Sequence, residues 1–578
     1  MSTTQSPTTT GPTRDPRRPW LASYDIGTPA TLAPYPDGTI LDVVRRQAAE
    51  RPDAAALRFE GAATSYRRML EQAESFGAAL ERRGVKRDDR VALVMPNCPQ
   101  LIVAELGAWM AGAVVAPMNP TYPDEELAAL LQRAEPAVAV VLAPFYERVK
   151  AVQARTSVRR VIVAHVRDAL PFPKSLLFRL FKERGTGHDA VPHPGDESMR
   201  DVLRAHRGEK PTAAPPKGSD PASLLPSGGT TGTPKWVEGR HESLVMAGLQ
   251  LEAWLRSVLA PEDTLLLPLP LFHTYAMTGV QSLAFTRGCS LALVANPRDM
   301  KGLLATIRRE EPSFICAVPT LLTGMMAHAD AAKTREAFRH VKLCFSGSAP
   351  LLAETARRFE EVTGGVIMEG YSLTEAQMAV IANPPKGAKK IGSVGMPLPD
   401  VDLKLVDVET GTREVAPGED GEVVIAAPQL MTGYRDQPDE TALVLKRDES
   451  GRPWLYTGDI GHLDEEGYLF LTDRKKELIK VSGYQVWPRE VEEAVAAHPA
   501  VLEAGCSAIP GGAKGEVPKV WVVLREGATA TPEEIRAFSR ERLAPYKVPA
   551  QVAIVKELPK SPVGKVLRRK LKELDAKQ

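Results

Sequence analysis

Residues 224–237 read LLPSGGTTGTPKWV: an apolar lead-in, a glycine pair, hydroxyl side chains, a further glycine, a proline and a lysine. Glycine lets backbone N–H groups close on a polyanion, and serine and threonine hydroxyls add donors. Ser227, Gly228, Thr230, Thr231 and Gly232 therefore form a phosphate cradle in chemical terms, and Lys235 adds a positive charge. This is not the P-loop of an NTPase. The G-K-[ST] ending is missing, and Pro234 stands before the lysine.

Outward from this loop, helical and strand patterns alternate. LDVVRRQAAERP (41–52) and SYRRMLEQAESFGAALERRG (65–84) have helical apolar spacing. RVALVMP (90–96), AVAVVLA (137–143) and VRRVIVAHV (158–166) read as buried strands, and LIVAELGAWMAGAVVAPMNP (101–120) as a helix followed by a strand. This alternation predicts an α/β architecture with parallel sheets. Residues 185–222, rich in Pro, Gly and charge, read as a long surface connection. Just before them, LPFPKSLLFRLFKERG (170–185) mixes Phe178, Leu180 and Phe181 with Arg179, Lys182 and Arg184. It reads either as a helix docked on the core or as a foot on an anionic membrane surface. From about residue 476 the texture changes to strand, helix, strand with a basic tail, which predicts a small α+β domain. The expected layout is a flexible arm over 1–35, a large domain of stacked αβ subdomains over 36–475 and a C-terminal domain over 476–578.

Composition narrows the classes. Lysine plus arginine and aspartate plus glutamate nearly cancel, leaving a formal charge of +1, so no nucleic-acid partner is expected. The five cysteines are scattered, with no C-x-x-C pair, which disfavours a zinc ribbon and suits reduced thiols in the cytoplasm. The longest apolar run, 106–117, is too short to span a bilayer, and the N-terminal residues lack the apolar core of a secretory signal.

Six stretches together carry a resemblance. SGGTTGTPK is similar to the signature loop of the adenylate-forming superfamily, which includes acyl-CoA synthetases, peptide-synthetase adenylation domains and firefly luciferase. SGSAPL (346–351) resembles its adenine-side loop, EGYSLTEA (369–376) its aromatic-plus-TE motif, and YTGD (456–459) its ribose motif. DRKKELIKVSGYQVWPREVE (473–492) resembles its hinge and pantetheine-channel segment, and PKSPVGKVLRRKL (559–571) the segment with its C-terminal catalytic lysine. The resemblance runs along nearly the whole chain after about residue 36, and the six motifs fall in family order. It implies an ATP- and Mg²⁺-dependent ligase that joins an acid to AMP and passes the acyl group to coenzyme A.

The chemistry needs the residues that these motifs supply. Joining a carboxylate to the α-phosphate of ATP brings two anions together, and a site must neutralise their repulsion. Thr230, Thr231, Gly232 and Lys235 suit the β- and γ-phosphates, Glu375 suits Mg²⁺, and Thr374 can donate to the α-phosphate. Tyr371 offers a flat face to adenine, and Asp459 can accept both ribose hydroxyls with Arg474 assisting. Lys565 acts as a positioned charge on the carboxylate and α-phosphate. By resemblance, Ser348, Ala349 and Pro350 with Glu369 and Gly370 border the adenine, and His273 borders the acyl pocket. The same resemblance implies that the C-terminal domain turns at Lys476 and that Ser482 and Gly483 then line the pantetheine channel. One departure is Ser372, where many relatives have glycine.

The 170–185 segment and the EGYSLTEA form resemble long-chain fatty-acid–CoA ligases, so a medium- to long-chain fatty acid is the expected substrate. Peripheral contact with the inner face of the membrane through 170–185 goes with that reading. The alternatives are an aryl-acid (coumarate-like) CoA ligase and an acyl-AMP ligase serving a carrier protein. The second is disfavoured, because no extra insertion is evident between Arg474 and Lys565 and no carrier domain is expected after it.

Overall fold

In the computed structural model the structure describes residues 17–227, 235–328, 335–349, 351, 353–378, 380–482, 484–512, 515–561 and 564–577. The sequence readings at Gly228, Thr230, Thr231, Gly232, Pro350 and Gly483 lie outside these residues.

Arg90–Val94 is apolar from Val91 onward, the pattern of a strand covered on both faces. It runs parallel between Val114–Met118 and Pro136–Leu142 at the centre of an eight-stranded sheet. On one side the sheet continues through Arg160–Ala164. On the other it reaches Pro221–Ser227, which doubles back into the antiparallel Lys235–Arg240. The opening stretch thus contributes to both of these strands, with Leu225 opposite Val237 and Ser227 opposite Lys235. A nine-stranded sheet holds a second parallel run, in which Thr264–Leu267 lies between Ser290–Leu293 and Phe314–Ala317. That run continues through Leu343–Ser346 to Val366–Tyr371.

The helices Tyr66–Arg82 and Pro99–Met110 join the main core cluster. Pro99–Met110 is buried all round beyond its first residue. Glycine is required where the two helices meet, because a Cβ on Gly107 would lie 2.9 Å from the Ala73 carbonyl oxygen and one on Gly77 2.9 Å from that of Gly107.

A third, antiparallel sheet of Asp402–Val406, Gly421–Ala426, Pro453–Leu463 and Leu445–Arg447 also carries Leu469–Arg474. The 3-10 turn Lys475–Glu477 then leads into a small α+β unit. This unit contains the hairpin Ile479–Val481/Tyr484–Val486 and a three-stranded sheet, and it has its own core around Val486, Val491, Val520 and Ile535.

Two sequence readings need correction. The flexible arm over 1–35 does not extend through 17–35, which is fastened to the large domain. Trp20 is buried against Gly467, Arg18 pairs with Asp402, and Tyr24 donates to the Pro397 carbonyl at 2.6 Å. Asp400 accepts from the hydroxyls of Thr31 and Tyr35. The proline-rich composition concealed these anchoring side chains. The connection 185–222 is also not wholly irregular, since it contributes the edge strand Glu197–Ser198 and the helix Met199–Ala205.

Candidate active site

Three strands bring Asp459, read from the sequence as a ribose acceptor, together with its partners. Asp459 lies within Pro453–Leu463 and is register-paired with Arg474, the last residue of Leu469–Arg474. Arg474 Nε meets Asp459 Oδ1 at 2.9 Å, and the Tyr371 hydroxyl donates to Asp459 Oδ2 at 2.6 Å. Both carboxylate oxygens are thus oriented before any ligand arrives. Burial pushes the Tyr371 phenol well above its ordinary value, with the Asp459 charge adding to it, and Asp459 raises Arg474 further still. Gly370, beside Tyr371, has no room for a side chain, because a Cβ would lie 2.3 Å from Phe345 Cζ.

Thr374 and Glu375 follow in a tight turn in which Gln377 N donates to the Thr374 carbonyl. Glu375 Oε1 accepts from the Tyr434 hydroxyl at 2.8 Å. Lys235 sits 4.6 Å over the ring of that same Tyr434 and pairs with Glu440 at 2.6 Å. A phosphate arriving at this lysine therefore has to compete with Glu440. Glu375 also suits Mg²⁺. Among the described residues no group of three His, Cys, Asp or Glu side chains could hold a metal by itself. A single carboxylate, completed by phosphate oxygens and water, is how magnesium is commonly bound.

On the neighbouring strand end, Ser348 adopts a left-handed φ of +68°, and a Cβ on Gly347 would lie 3.2 Å from Tyr275 Cε1. Ala349 completes the described part of this loop. Glu369 accepts from Leu351 N at 3.1 Å, and burial raises its carboxyl to about 7.

His273 precedes a π-helical turn, Tyr275–Gln281, and its Nδ1 accepts from Tyr275 N at 3.3 Å. The surrounding protein and then the Lys565 charge push the imidazole down to about 4. At neutral pH it is uncharged, with its proton on Nε2.

Lys565 comes from the small domain, on a loop that touches the large one. A Cβ on the preceding Gly564 would lie 2.3 Å from Thr320 Oγ1. The lysine keeps access to solvent through the open cleft, yet the protein around it and then Arg474 push its ammonium down to about 8, with Asp459 opposing. His273, Asp459, Arg474 and Lys565 therefore feel one another across the domain boundary, as a shared site requires. Lys476 is exposed at the turn between the domains. Ser482 has a left-handed φ of +49° in the small-domain hairpin, and Tyr484, 58% exposed, stacks on Tyr546 at 4.6 Å.

Near the site, a cavity of about 850 Å³ opens where strand ends of both parallel sheets converge, beside Asn97, Asn119, Leu142, Pro268, Phe272 and Val294. It is roofed by the helix Lys174–Phe181, which buries none of its residues. Sequence reasoning missed Tyr434 and Glu440. The MTGY stretch that carries Tyr434 has no polar pattern of its own; the pairing of Gly433–Tyr434 with Lys235–Arg240 and the bond from Met431 N to the Glu375 carbonyl bring it to the site.

Two-domain geometry of this kind, with a nucleotide-type site closed by a lysine from a small cap, defines a class. The chain belongs to the AMP-binding enzyme family: residues 44–435 match the description "AMP-binding enzyme" and residues 490–565 "AMP-binding enzyme C-terminal domain". It is 36% identical over 561 residues to a long-chain-fatty-acid–CoA ligase of Bacillus subtilis (strain 168), covering 96% of this chain and 98% of that protein. Among solved structures it is similar to the anthranilate CoA ligase AuaEII in complex with anthranoyl-AMP, with a TM-score of 0.82 at 25% identity over 94% of this chain and 99% of that one. It is also similar to ATP-bound MatB from Rhodopseudomonas palustris, with a TM-score of 0.80 at 27% identity over 92% and 98% of the two chains.

Proposed function

We propose that this protein is an ATP- and Mg²⁺-dependent ligase that activates a medium- to long-chain fatty acid as acyl-AMP and transfers the acyl group to coenzyme A, releasing AMP and pyrophosphate. The observation that carries this reading is Lys565, delivered by one domain to a site whose Asp459, Arg474 and His273 belong to the other. The near full-length similarity to a long-chain-fatty-acid–CoA ligase supports the acid class.

In the first step, Asp459 accepts the ribose hydroxyls while Arg474 and Tyr371 fix its orientation. Thr374 donates to the α-phosphate. Lys565, mostly protonated at pH 7, offsets the repulsion between the incoming carboxylate and that phosphate, and bound anions favour its charged form. Glu375 would hold Mg²⁺, which supplies charge neutralisation on the phosphates. His273, being neutral, adds no charge to the acyl side. In the second step the small domain turns at Lys476, and Lys565 leaves with it. Ser482 and Gly483 then line the path of the thiol, which attacks the acyl carbonyl and expels AMP. In this reading the domain boundary lies at 475/476, and Gly228, Thr230, Thr231, Gly232 and Pro350 complete the nucleotide contacts.

The helix Lys174–Phe181 supports peripheral membrane contact. Phe172, Leu180 and Phe181 are 82%, 62% and 78% exposed, beside Arg179 and Lys182, while Leu170 packs on the core and Phe178 is half-buried against His188. Basic and apolar groups together suit an anionic bilayer surface. Among the described residues no helix is long and apolar enough to cross a membrane. Flotation with anionic vesicles at low salt should carry the protein up, and Phe181→Glu should abolish this; a wild-type protein that stays at the bottom would refute the contact. The activity is tested by pyrophosphate release over a panel of acids, with and without coenzyme A. Fatty acids should give turnover that depends on coenzyme A, whereas preference for an aryl acid, or adenylate formation with no thioester, would overturn the assignment.

A further inference from the structure

Arg568 lies three residues after Lys565 and gathers three carboxylates. Its Nε and Nη2 take the two oxygens of Glu492 at 2.8 and 2.6 Å, within the small domain. Its Nη1 crosses to Asp473 Oδ1 at 2.6 Å and also meets Glu477 in the interdomain turn. Asp473 belongs to Leu469–Arg474 of the large domain, and its carboxylate is almost fully buried. Its other oxygen accepts from Arg489 N at 2.6 Å, a second small-domain donor. One buried large-domain carboxylate is thus held on both oxygens by the cap.

Something has to hold the cap there. Before an anion arrives, the cleft disfavours Lys565, because the surrounding protein and then Arg474 depress its charged form, with Asp459 opposing. Arg568 supplies the compensating attraction on the same short segment. Its two edges also divide the work, since the Glu492 pair lies within one rigid unit whereas the Asp473 contact spans the hinge.

We propose that Arg568, acting through Asp473, is a positioning residue for acid activation: the pair latches the small domain in the orientation that places Lys565 in the cleft, and it opens when that domain turns for thiol transfer while the Glu492 pair stays closed. This rests on the ligase reading. Charge-assisted hydrogen bonds in partly buried settings are among the stronger protein contacts, so the effect should be measurable.

The test is Asp473→Asn, which keeps the shape and an acceptor for Arg489 N but removes the charge facing Arg568. Pyrophosphate release from acid and ATP should fall by about tenfold or more. Thioester formation from preformed acyl-adenylate and coenzyme A should be unchanged or faster. Glu492→Gln is the contrast, expected to lower the melting temperature and reduce both half-reactions together. Spin labels on the two domains should show Asp473→Asn shifted away from the latched distance in the free protein. Equal loss of both half-reactions in a variant with wild-type melting, or an unchanged label distance, would overturn the latch. The distance needs no substrate, so a wild-type protein that forms no acyl-adenylate would sink the ligase reading while the latch is still judged on its own.

Discussion

Substituting Gly564 with alanine places a methyl group at the joint between the two domains. Gly564 has φ +75°, and a Cβ there would lie 2.3 Å from Thr320 Oγ1 at the start of the helix Pro319–Ala327. Two costs follow. An alanine in the left-handed region costs about 1–2 kcal/mol. The contact must also open to at least 3.0 Å. Thr320 is β-branched and its rotamers are restricted, so the small domain has to back away and take Lys565 with it. Overpacking of this kind costs about 1–3 kcal/mol. Only the second is specific to the docked cap, so the rate of acid activation should fall by about 1–3 kcal/mol, or roughly fivefold to 150-fold, while the first lowers the stability of the fold in either cap position. The assay is pyrophosphate release at saturating ATP and acid, set beside thioester formation from preformed acyl-adenylate. The contact exists only with the cap docked, so the second half-reaction should escape the steric part. Gly564→Ala combined with Thr320→Ala should recover the rate and leave about 1–2 kcal/mol of lost stability from backbone strain. Full activity in Gly564→Ala, or no recovery in the double variant with its fold intact, would refute the docking geometry.

Lys565→Ala should abolish adenylate formation while sparing thioester formation from the preformed intermediate, as read by pyrophosphate release and thioester yield. The active form of Lys565 is the protonated one, and its folded-state value is lowered to about 8, so kcat/KM for acid activation should fall as pH rises through about 8. Lys565→Arg, charged throughout, should lack that limb, and His273, neutral above about 4, should add none between pH 5 and 8. Glu375→Gln should raise the Mg²⁺ concentration needed for half-maximal turnover by about tenfold or more, as a magnesium titration would show, with Tyr434→Phe producing a smaller rise.

The α/β alternation was legible because buried parallel stretches such as 91–95 and 137–143 are apolar without interruption, and burial on both faces demands that. The gathering of the expected site residues was legible for a different reason. Tyr371, Asp459, Arg474 and Lys565 sit in short motifs whose residue types the chemistry of a polyanion restricts. The Arg568 cluster was hidden, because its partners Asp473, Glu477 and Glu492 look in sequence like the charged flanks of any surface helix. Lys235 shows the opposite case. Its assignment to phosphate came easily from the loop, but the competing Glu440 lies far along the chain and only the sheet edge brings it near. Residues 17–35 misled through composition, since a few aromatic and charged anchors decide whether a proline-rich segment packs.

All five thiols, Cys98, Cys289, Cys316, Cys344 and Cys506, are interior, and burial raises each of them above the ordinary cysteine value. Buried thiols of this kind react slowly with electrophiles. The native chain therefore offers a nearly silent background for maleimide dyes, and an engineered surface cysteine on either lobe would take label selectively. A donor–acceptor pair could then follow the swivel of the cap, molecule by molecule, with no native cysteine removed.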